Sequence, residues 1–432
     1  MFIHATNHTP TQRVAIIGAG VAGLHLALLL QKQGIPVTLY SDRTPDQLRQ
    51  GRLPNTVALM GATRARNRDL GIHDWDAPCY DTVAMHIHVG GDQPLTFTGR
   101  PSEPLLFIDM RLYLPRLLEA FIARGGNVMI RDLQNDDLPA IAAQGSLVVV
   151  ATGRNGLTRR FPRIPAASPY TQPQRQLMAG LFRGIQPLTP QTMCFQIAPG
   201  QGEIFENRFL TADGVVGGLL IEAIPGSELA QLAMLDYDDH PARFEATLLD
   251  CLQRYAPLTY SRIDPRAFCL RHELDLLQGA VTPTVRRAYA PLGDNRFALA
   301  LGDTHVTHDP ITGQGANAAA QCAWIMGEAI AEHFGNGATG GARLDEAFCQ
   351  EVERRLWTWL EPVTAWSNAM LQPPPPHAVD LLVAASQTPA IADAFVSNFN
   401  QPERNWAIFS SPTLMAGFLA DFGWAGERAL AA

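Results

Sequence analysis

The stretch that decides the fold runs from Arg13 to Tyr40 and reads RVAIIGAGVAGLHLALLLQKQGIPVTLY. The pattern over Arg13–Ile17 predicts a buried strand, and Ala22–Lys32 predicts a helix that Gly34 ends. A second strand is expected over Pro36–Tyr40. A strand, a helix and a strand in this order form a βαβ unit. The chain is therefore predicted to contain a doubly wound, mostly parallel α/β sheet.

Three glycines lie in the turn between the first strand and the helix. Gly18, Gly20 and Gly23 have the spacing GxGxxG. The first glycine permits a tight turn, the second lets a pyrophosphate approach the backbone, and the third lets helix and strand pack closely. Unpaired amides at the helix N-terminus favour an anion there. Asp42 lies nineteen residues past Gly23, so Asp42 or its neighbour Arg43 is predicted to reach the adenosine of a dinucleotide.

Composition limits the function further. The run from Val14 to Leu30 has His25 as its only polar residue, but its glycines break a membrane helix and no small-residue cleavage site follows. With 47% hydrophobic and 17% charged residues and a net charge of −8, the chain is predicted to be soluble, with no positive field for nucleic acid or membrane lipid. The six cysteines form no CxxC pair, which favours reduced thiols and a cytoplasmic location.

A second glycine-rich segment, about 280 residues further on, favours FAD over NAD. The sequence LALGD ends a predicted strand at Asp303, and PITGQGAN from Pro310 to Asn317 opens a predicted helix. This arrangement resembles the second FAD contact of the flavin monooxygenase superfamily. The resemblance implies that Asp303 bonds the ribityl chain and that Pro310 and the backbone of Gly313–Asn317 lie against the isoalloxazine. The two segments supply these expected cofactor-binding residues: Gly18, Gly20, Gly23, Asp42, Arg43, Gly302, Asp303, Gly313, Gln314, Gly315, Ala316 and Asn317.

The remaining patterns predict a second domain and a helical end. Alternating apolar and polar runs between about Ser168 and Gly279 predict an antiparallel sheet. A helical pattern from Leu344 to Leu371 ends at four consecutive prolines. The predicted fold is α/β, with a doubly wound, Rossmann-like FAD-binding domain over residues 1–75, 105–165 and 290–340. A β-sheet substrate domain is expected over 76–104 and 166–289, and a helical C-terminal region over 341–432.

A missing motif bears on the source of electrons. Single-component flavin hydroxylases carry an Asp-Gly motif after the middle strand, which serves FAD and the nicotinamide donor. Here VVVATGRNG, from Val148 to Gly156, stands in that place, and the sequence has no second GxGxxG with strand context. We infer that NAD(P)H does not reduce the flavin on this chain and that reduced FAD arrives from a separate reductase.

Taken together, these segments resemble the oxygenase component of two-component styrene and indole monooxygenases, over Arg13 to the C-terminus. The most specific matches are YSDRTPD at 40–46, RLPNTVA at 52–58, DMRLY at 109–113, PQR at 173–175, LLQG at 276–279 and NFNQPERNW at 398–406. The resemblance implies epoxidation of a small aromatic alkene through a flavin C4a-hydroperoxide, with O₂ as co-substrate. FADH₂ would arrive by diffusion from an NADH-dependent flavin reductase.

Oxygen transfer of this kind needs a dry pocket rather than a nucleophile, a metal or paired carboxylates. The sequence has no GxSxG, HExxH or Cys/His metal spacing. Asn55 is the best candidate for a polar catalytic group beside flavin and substrate, although a turn residue after Pro54 would look the same. Arg52 is expected as a flavin contact or a loop anchor, Pro310 as a third catalytic candidate, and Arg111 as a further cofactor contact.

Four apolar residues are expected in the substrate pocket. Asn55 and Val57 favour a styrene-like substrate, whereas Leu59, Met85 and Leu105 indicate a differently shaped cavity. The choice among styrene, indole, another alkene or a sulfide stays open, as do enantioselectivity and the identity of the reductase. The sequence also leaves open whether the chain is a monomer or a homodimer.

Two further features of the sequence could indicate a metal site or a halogenase, but each has a simpler explanation. His86 with His88, and His305 with His308, lack a third ligand at fitting spacing, so no metal is predicted. The WTW segment at 357–359 resembles the WxW of flavin-dependent halogenases but lies in a different region on a probable packing helix. A flavin-dependent halogenase or a single-component aromatic hydroxylase remains the alternative enzyme, and a non-catalytic flavin-binding redox sensor the alternative of another class.

Overall fold

A computed structural model describes residues 13–144, 146–336 and 344–424. The predicted domain segments also contain residues 1–12, 145, 337–343 and 425–432, which lie outside the described residues. The strands are β1 (Arg13–Ile17), β2 (Val37–Ser41), β3 (Thr56–Leu59), β4 (Ala84–Val89), β5 (Leu95–Gly99), β6 (Leu106–Asp109), β7 (Asn127–Ile130), β8 (Ser146–Val150), β9 (Gln176–Arg183), β10 (Thr192–Ala198), β11 (Gly202–Thr211), β12 (Gly214–Ala223), β13 (Cys269–Leu270), β14 (Leu276–Ala280), β15 (Thr284–Val285), β16 (Tyr289–Gly293), β17 (Arg296–Ala300) and β18 (Val306–Thr307).

The helices come mainly from the two ends of the chain. They are α1 (Val21–Lys32), α2 (Pro45–Gln50), α3 (Gly61–Asp69), α4 (Met110–Ala123), α5 (Leu138–Ala143), α6 (Pro241–Tyr255), α7 (Pro257–Tyr260), α8 (Gly315–Asn336), α9 (Glu346–Ala369), α10 (Pro376–Gln387), α11 (Pro389–Ser397), α12 (Pro402–Ser410) and α13 (Pro412–Ala420). In the part of the chain that is described, no helix is long and apolar enough to cross a membrane.

The first sheet is the predicted doubly wound sheet. Its six strands lie in the order β16-β17-β8-β1-β2-β7, and β1 pairs in parallel with both β2 and β8. Only β16, at one edge, runs antiparallel to its neighbour within the described residues. The fold class predicted from the sequence is thereby confirmed.

Both faces of this sheet are covered, as a parallel sheet requires. Val14 and Ile16 of β1 pack in one core with α1, α4 and α8, whereas Ala15 and Ile17 pack in another core with α5. Helix α1 is apolar nearly all round, because α8 covers the side that faces away from the sheet. Each fully buried leucine of α1 contributes about 1.5–3 kcal/mol, which offsets the marginal stability of a twelve-residue helix.

The second sheet carries the β-rich middle of the chain. Its main path is β13-β9-β12-β11-β10-β4-β5, with β14 paired to β9. Most pairs are antiparallel as expected, but β4 and β10 run parallel. Strands β3 and β6 pair with each other and join this sheet through β11, although the sequence had assigned residues 56–59 and 106–109 to the FAD-binding domain. By their pairing, both strands lie in the second sheet.

The C-terminal helices form a layer over the end of the second sheet. The predicted helix at 344–371 is observed as α9, and the helical tail continues through α13. Trp366 of α9 is fully buried and meets the ring of Phe399 edge to face at 5.2 Å. Trp357 and Trp359 pack against the core around α1 and α8, as expected for packing residues.

Candidate functional site

One large cavity lies between the two sheets, with a volume of about 940 Å³. Small-molecule and cofactor sites occupy roughly 300–1,000 Å³, so this volume lies at the upper end of that range. Its walls come from the loop after β1, the loop after β17, strand β3 and the inner face of the second sheet. The two glycine-rich segments, which are distant in sequence, therefore meet in one cavity.

The loop after β1 is shaped by close backbone approach. Gly18 has φ +113°, and a Cβ added there would lie 2.3 Å from the carbonyl oxygen of Ala151. A Cβ on Gly23 would lie 1.9 Å from the carbonyl oxygen of Gly18, so this glycine packs inside the turn and does not line the cavity. Gly20 lines the cavity, and a Cβ there would meet nothing within 4 Å.

Helix α1 starts directly behind this open glycine. Gly20 is its N-cap and supplies no side-chain hydrogen bond to the first turn. The free amides and the positive end of the helix dipole thus point at space that a ligand can occupy, which is the arrangement that binds a pyrophosphate.

The loop after β2 adds charged side chains to the cavity wall. Asp42 and Arg43 both line the cavity, and the Arg43 Nε lies 3.4 Å from an Asp42 carboxylate oxygen. Arg131, Arg154 and Arg159 line the same cavity. Sequence reasoning missed these three arginines because they follow β7 and β8 without a recognisable motif. They place positive charge in the wall of the cavity.

Asp303 reaches the cavity from the end of β17, as predicted, and Gly302 lies beside it in the wall. Burial raises the pKa of the Asp303 carboxyl, while the positive charges of Arg154 and Arg286 oppose that rise. The backbone carbonyl of Asp303 accepts a hydrogen bond of 2.9 Å from the Thr307 hydroxyl. The backbone of Asp303, and not its side chain, makes this contact within the loop. Its carboxylate is therefore available to accept hydrogen bonds from a hydroxyl-bearing ligand.

The loop from Pro310 to Gly315 forms the next part of the wall. Pro310–Thr312 is a single 3₁₀ turn, and Gly313 follows with φ +65° before α8 begins at Gly315. Pro310, Gly313, Gly315 and Ala316 line the cavity. The structure thus brings these four predicted contacts to the cavity.

Gln314 and Asn317 do not line the cavity but hold the loop in place. The Gln314 side-chain amide donates to the carbonyl of Phe399 at 3.0 Å. The Asn317 side chain accepts from the amide of Met60 at 3.0 Å and donates to the carbonyl of Ala58 at 2.9 Å. Both side chains are buried, because they join the loop to β3 and to the C-terminal helices.

Helix α9 supports the same loop through two contacts that the sequence did not indicate. His308 Nε2 lies 3.1 Å from the Thr364 hydroxyl, and the Thr312 hydroxyl lies 2.7 Å from that of Ser367. Burial lowers the pKa of His308 to about 4, so its imidazole is neutral near pH 7. These two contacts could not be predicted from the sequence, because Thr364 and Ser367 look like ordinary polar residues of an amphipathic helix.

Asn55 and Arg52, predicted as neighbours in the site, are separated by the structure. Asn55 lines the cavity just before β3. Arg52 points elsewhere, with its Nη1 donating to the carbonyls of Glu273 at 3.2 Å and Leu276 at 3.1 Å. Of the two roles expected for Arg52, the geometry is that of a loop anchor.

Arg111 is also placed away from the cavity wall. Its Nη2 donates at 2.6 Å to Asp109 and at 2.6 Å to Asp275, and the guanidinium is largely buried. Arg271 joins the same network through Asp275. The structure therefore gives Arg111 a structural position between α4 and the turn before β14, because two carboxylates already use its donors.

The remaining end of the cavity is apolar. Val57, Met85 and Leu105 line it as predicted, but Leu59 does not. Leu59 shares a face of β3 with Val57, but it lies two positions further along the strand and is fully buried in the core around α1 and α8. The second sheet and the C-terminal tail add apolar lining residues that sequence reasoning missed: Phe107, Leu177, Ala179, Met193, Phe205, Phe209, Leu220 and Phe399.

The histidine pairs considered as metal ligands have other partners. His86 Nδ1 and His88 Nδ1 each lie 2.9 Å from a threonine hydroxyl on the neighbouring strand β5. Among the described residues, no group of three or more His, Cys, Asp or Glu side chains is arranged to hold a metal ion.

The architecture is shared with solved flavin enzymes. The myxobacterial chondrochloren halogenase CndH, described as a variant of FAD-dependent halogenases, has a TM-score of 0.61 at 16% identity, covering 92% of this chain and 97% of that one. A flavoprotein/dehydrogenase from Cytophaga hutchinsonii has a TM-score of 0.63 at 13% identity, covering 95% of this chain and 99% of that one. Likeness at these identities concerns the fold alone, and it defines the structural class: the α/β fold of FAD-dependent halogenases and monooxygenases.

Sequence relatives identify the family within this class. "Styrene monooxygenase StyA" of Pseudomonas fluorescens is 38% identical over 93% of this chain and 96% of its own length. "Styrene monooxygenase StyA" of a Pseudomonas species is 37% identical over 95% of this chain and 98% of its own length. Residues 153–262 match the family described as "Styrene monooxygenase A putative substrate binding domain". The chain belongs to the styrene monooxygenase family, which confirms the resemblance found in its sequence.

Proposed function

We propose that this chain is the FAD-dependent oxygenase component of a two-component monooxygenase that epoxidises small aryl alkenes. One observation carries the proposal: the dinucleotide-binding glycine loop and an apolar wall of the second sheet line the same cavity. The styrene monooxygenases that align with nearly the whole chain support the same reaction class.

The residues around the cavity fit FAD. The clearance at Gly20 and the uncapped start of α1 suit the pyrophosphate, Arg43 and Arg154 offset its charge, and Asp303 suits the ribityl hydroxyls. The loop from Pro310 to Gly315 would lie against the isoalloxazine. When bound in its reduced form, FAD supplies two electrons and activates O₂, so that one oxygen atom enters the alkene and the other leaves as water.

The protein's own contribution is positioning and the exclusion of water. Phenylalanines and leucines at the apolar end offer a substrate contact surface without competing hydrogen-bond donors, so an aryl group gains free energy by burial there. The ring of Phe107 meets that of Phe209 edge to face at 5.4 Å, which stiffens this wall. Asn55, at the border between the charged and apolar ends, would orient the substrate or the flavin edge by a hydrogen bond.

The electron source is proposed to be a separate NADH-dependent flavin reductase that releases FADH₂ transiently. The segment after β8 lacks the Asp-Gly motif through which single-component hydroxylases serve a nicotinamide donor. The domain boundaries given above, the cytoplasmic location and the choice between monomer and homodimer stay predictions.

A reconstitution with and without a reductase tests the proposal. The chain, FAD, NADH and a generic flavin reductase should convert styrene to its epoxide, with indole and a thioether as parallel substrates. Reductase without the chain is the control for chemical oxidation by free reduced flavin. Turnover at an ordinary rate from NADH without the reductase would refute the two-component assignment, and a failure on all three substrates would refute the oxygenase assignment.

A further inference from the structure

A cluster of buried acidic side chains lies next to the apolar wall of the cavity, on the same face of the second sheet. Side chains alternate between the two faces of a strand. Glu203 therefore shares a face with Phe205 on β11, and Glu222 shares a face with Leu220 on β12, and both Phe205 and Leu220 line the cavity. Glu222 is fully buried and Glu203 nearly so.

The register of the strands places these two carboxyl groups side by side. Glu203 is the cross-strand partner of Glu222, and like charges at such positions repel each other. Arg175, just before β9, forms a bidentate ion pair with Glu203 at 2.7 and 2.9 Å. The charge of Glu203 is thereby offset, whereas Glu222 has no such partner among the described residues.

A third carboxyl group comes from the loop that would lie against the isoalloxazine. Asp309 immediately precedes Pro310, lines the cavity and is 1% exposed. Its Oδ1 accepts a hydrogen bond from the amide of Ile311 at 3.2 Å. Asp309 Oδ2 and both carboxyl oxygens of Glu222 meet no hydrogen-bond donor within the described residues, although the two side chains are neighbours.

Burial raises the pKa of both groups, and the neighbouring carboxyl groups of Asp309 and Glu203 raise that of Glu222 further, to well above its usual value. The contact with Glu222 and the charge of Arg175 lower the pKa of Asp309, and Arg175 also opposes the shift of Glu222. Burial also raises the pKa of Glu203. His308, the neighbour of Asp309, is a neutral imidazole near pH 7 and adds no positive charge. One guanidinium therefore faces three carboxyl groups, and a proton would supply the donor that their free oxygens lack.

We propose that Glu222 and Asp309 share one proton, and that this acid pair holds the loop at Pro310 in the position that binds FAD. The inference rests on the proposed use of FAD. When the pH rises and the shared proton leaves to water, two buried carboxylates repel each other across the joint between the second sheet and the loop. The loop then moves away from the sheet, and the affinity for FAD falls.

The first test is infrared spectroscopy of the full chain without FAD. The wild-type protein should show the C=O band of a protonated carboxyl group near neutral pH, and Glu222→Gln should lose that band. Glu206→Gln is the matched control, because Glu206 lies on the other face of β11 as a buried carboxylate paired with Arg262 and should leave the band in place. A band that is absent from the wild type, or retained in Glu222→Gln, overturns the shared proton.

The second test is the pH dependence of FAD binding, measured by fluorescence titration with oxidised FAD. Above the pKa of the pair, the wild-type Kd should rise by up to about tenfold per pH unit. Glu222→Gln should bind FAD as the wild type does at neutral pH. Both Glu222→Gln and Asp309→Asn should remove the alkaline rise, because an amide supplies the missing donor permanently. Glu206→Gln should keep the rise.

The two proposals fail in different ways. An alkaline rise that is identical in the wild type and both amide variants overturns the role of the pair in FAD binding but leaves FAD use intact. A wild-type chain that binds neither oxidised nor reduced FAD at any pH overturns the proposed function together with the binding half of this inference, and the infrared band then decides the shared proton separately.

Discussion

The two ends of the cavity are built in different ways. At the nucleotide end the ligand would meet backbone amides, Gly18, Gly20 and arginines, from loops at the ends of β1, β2, β7 and β8. At the other end it would meet side chains from β3, β4, β6, β9, β11 and β12 and from the C-terminal tail. The first end depends on local backbone geometry, and the second on how distant strands pack. A change at one end should therefore affect cofactor binding, and a change at the other should affect substrate choice.

The largest effect is expected from Gly18→Ala. The new Cβ would overlap the carbonyl of Ala151 at a φ that L-residues rarely adopt, so the turn must move. We expect FAD affinity to fall by at least about 100-fold, with a lower Tm. Gly20→Ala is the matched control, because its Cβ has free space in the unliganded chain. It should weaken FAD binding while leaving the Tm unchanged, and an equal loss of Tm in both variants would contradict this division.

Asp303→Asn should separate binding from stability at the flavin end. Because burial raises the pKa of this carboxyl, its charge is not favoured by the unliganded chain. Replacing it should weaken FAD binding by about 10- to 100-fold, the value of a charged hydrogen bond, while the Tm stays level or rises. A Tm that falls in proportion to the affinity would indicate that Asp303 only supports the loop.

Acid should destabilise the core around the cofactor loops. Burial lowers the pKa of His25 to about 3, of His305 to about 3 and of His308 to about 4, each from 6.5. These groups take up protons on unfolding. Their contribution to the free energy of unfolding is therefore fully present above pH 6.5, and it is lost as the pH falls from 6.5 towards the folded-state pKa values of about 3 to 4. The maximum slope is about 1.4 kcal/mol per pH unit for each imidazole.

Denaturant titrations between about pH 7 and pH 4 measure this slope. His308→Gln should reduce the slope by the contribution of one imidazole, which is at most about 1.4 kcal/mol per pH unit. His73→Gln, at an exposed position, should leave it unchanged. Equal slopes in all three proteins would show that His308 takes up no proton on unfolding.

Asn55→Ala tests the border between the two ends. Loss of one oriented hydrogen bond should lower the rate of epoxidation by about tenfold, with FAD affinity unchanged. Hydrogen peroxide release should increase relative to product, because reduced flavin would still consume O₂. Unchanged turnover and enantioselectivity would remove Asn55 from the site.

The smallest effect is expected from exchanging residues of similar volume at the apolar end. Met85→Leu and Leu59→Met should each cost less than about 1.5 kcal/mol of stability. Only Met85 lines the cavity, so only Met85→Leu should shift the styrene-to-indole rate ratio or the epoxide enantiomer ratio, by a few-fold. A comparable shift in Leu59→Met would mean that Leu59 reaches the substrate after all.

The predictions from sequence succeeded where the determinant is local. The strands β1 and β2 and the helix α1 appear within a residue or two of their expected bounds. The predictions of individual site residues were less accurate where a side chain has more than one possible partner. Arg111 and Arg52 have the right charge for a cofactor contact, but Asp109, Asp275 and two backbone carbonyls already use their donors. Leu59 shares a strand face with the lining residue Val57, but it lies two positions further along β3, where the core around α1 and α8 encloses it.

The sequence by itself determined the βαβ unit, the glycine loop, the second loop at Asp303 and the family, because these depend on spacing within short segments and on backbone conformations that particular residues require. Only the tertiary structure decided which side chains line the apolar end, how α9 holds the loop through Thr364 and Ser367, and that Glu203, Glu222 and Asp309 meet beside one arginine. The physical reason is that burial, desolvation and charge balance arise from contacts between residues that are far apart in the chain.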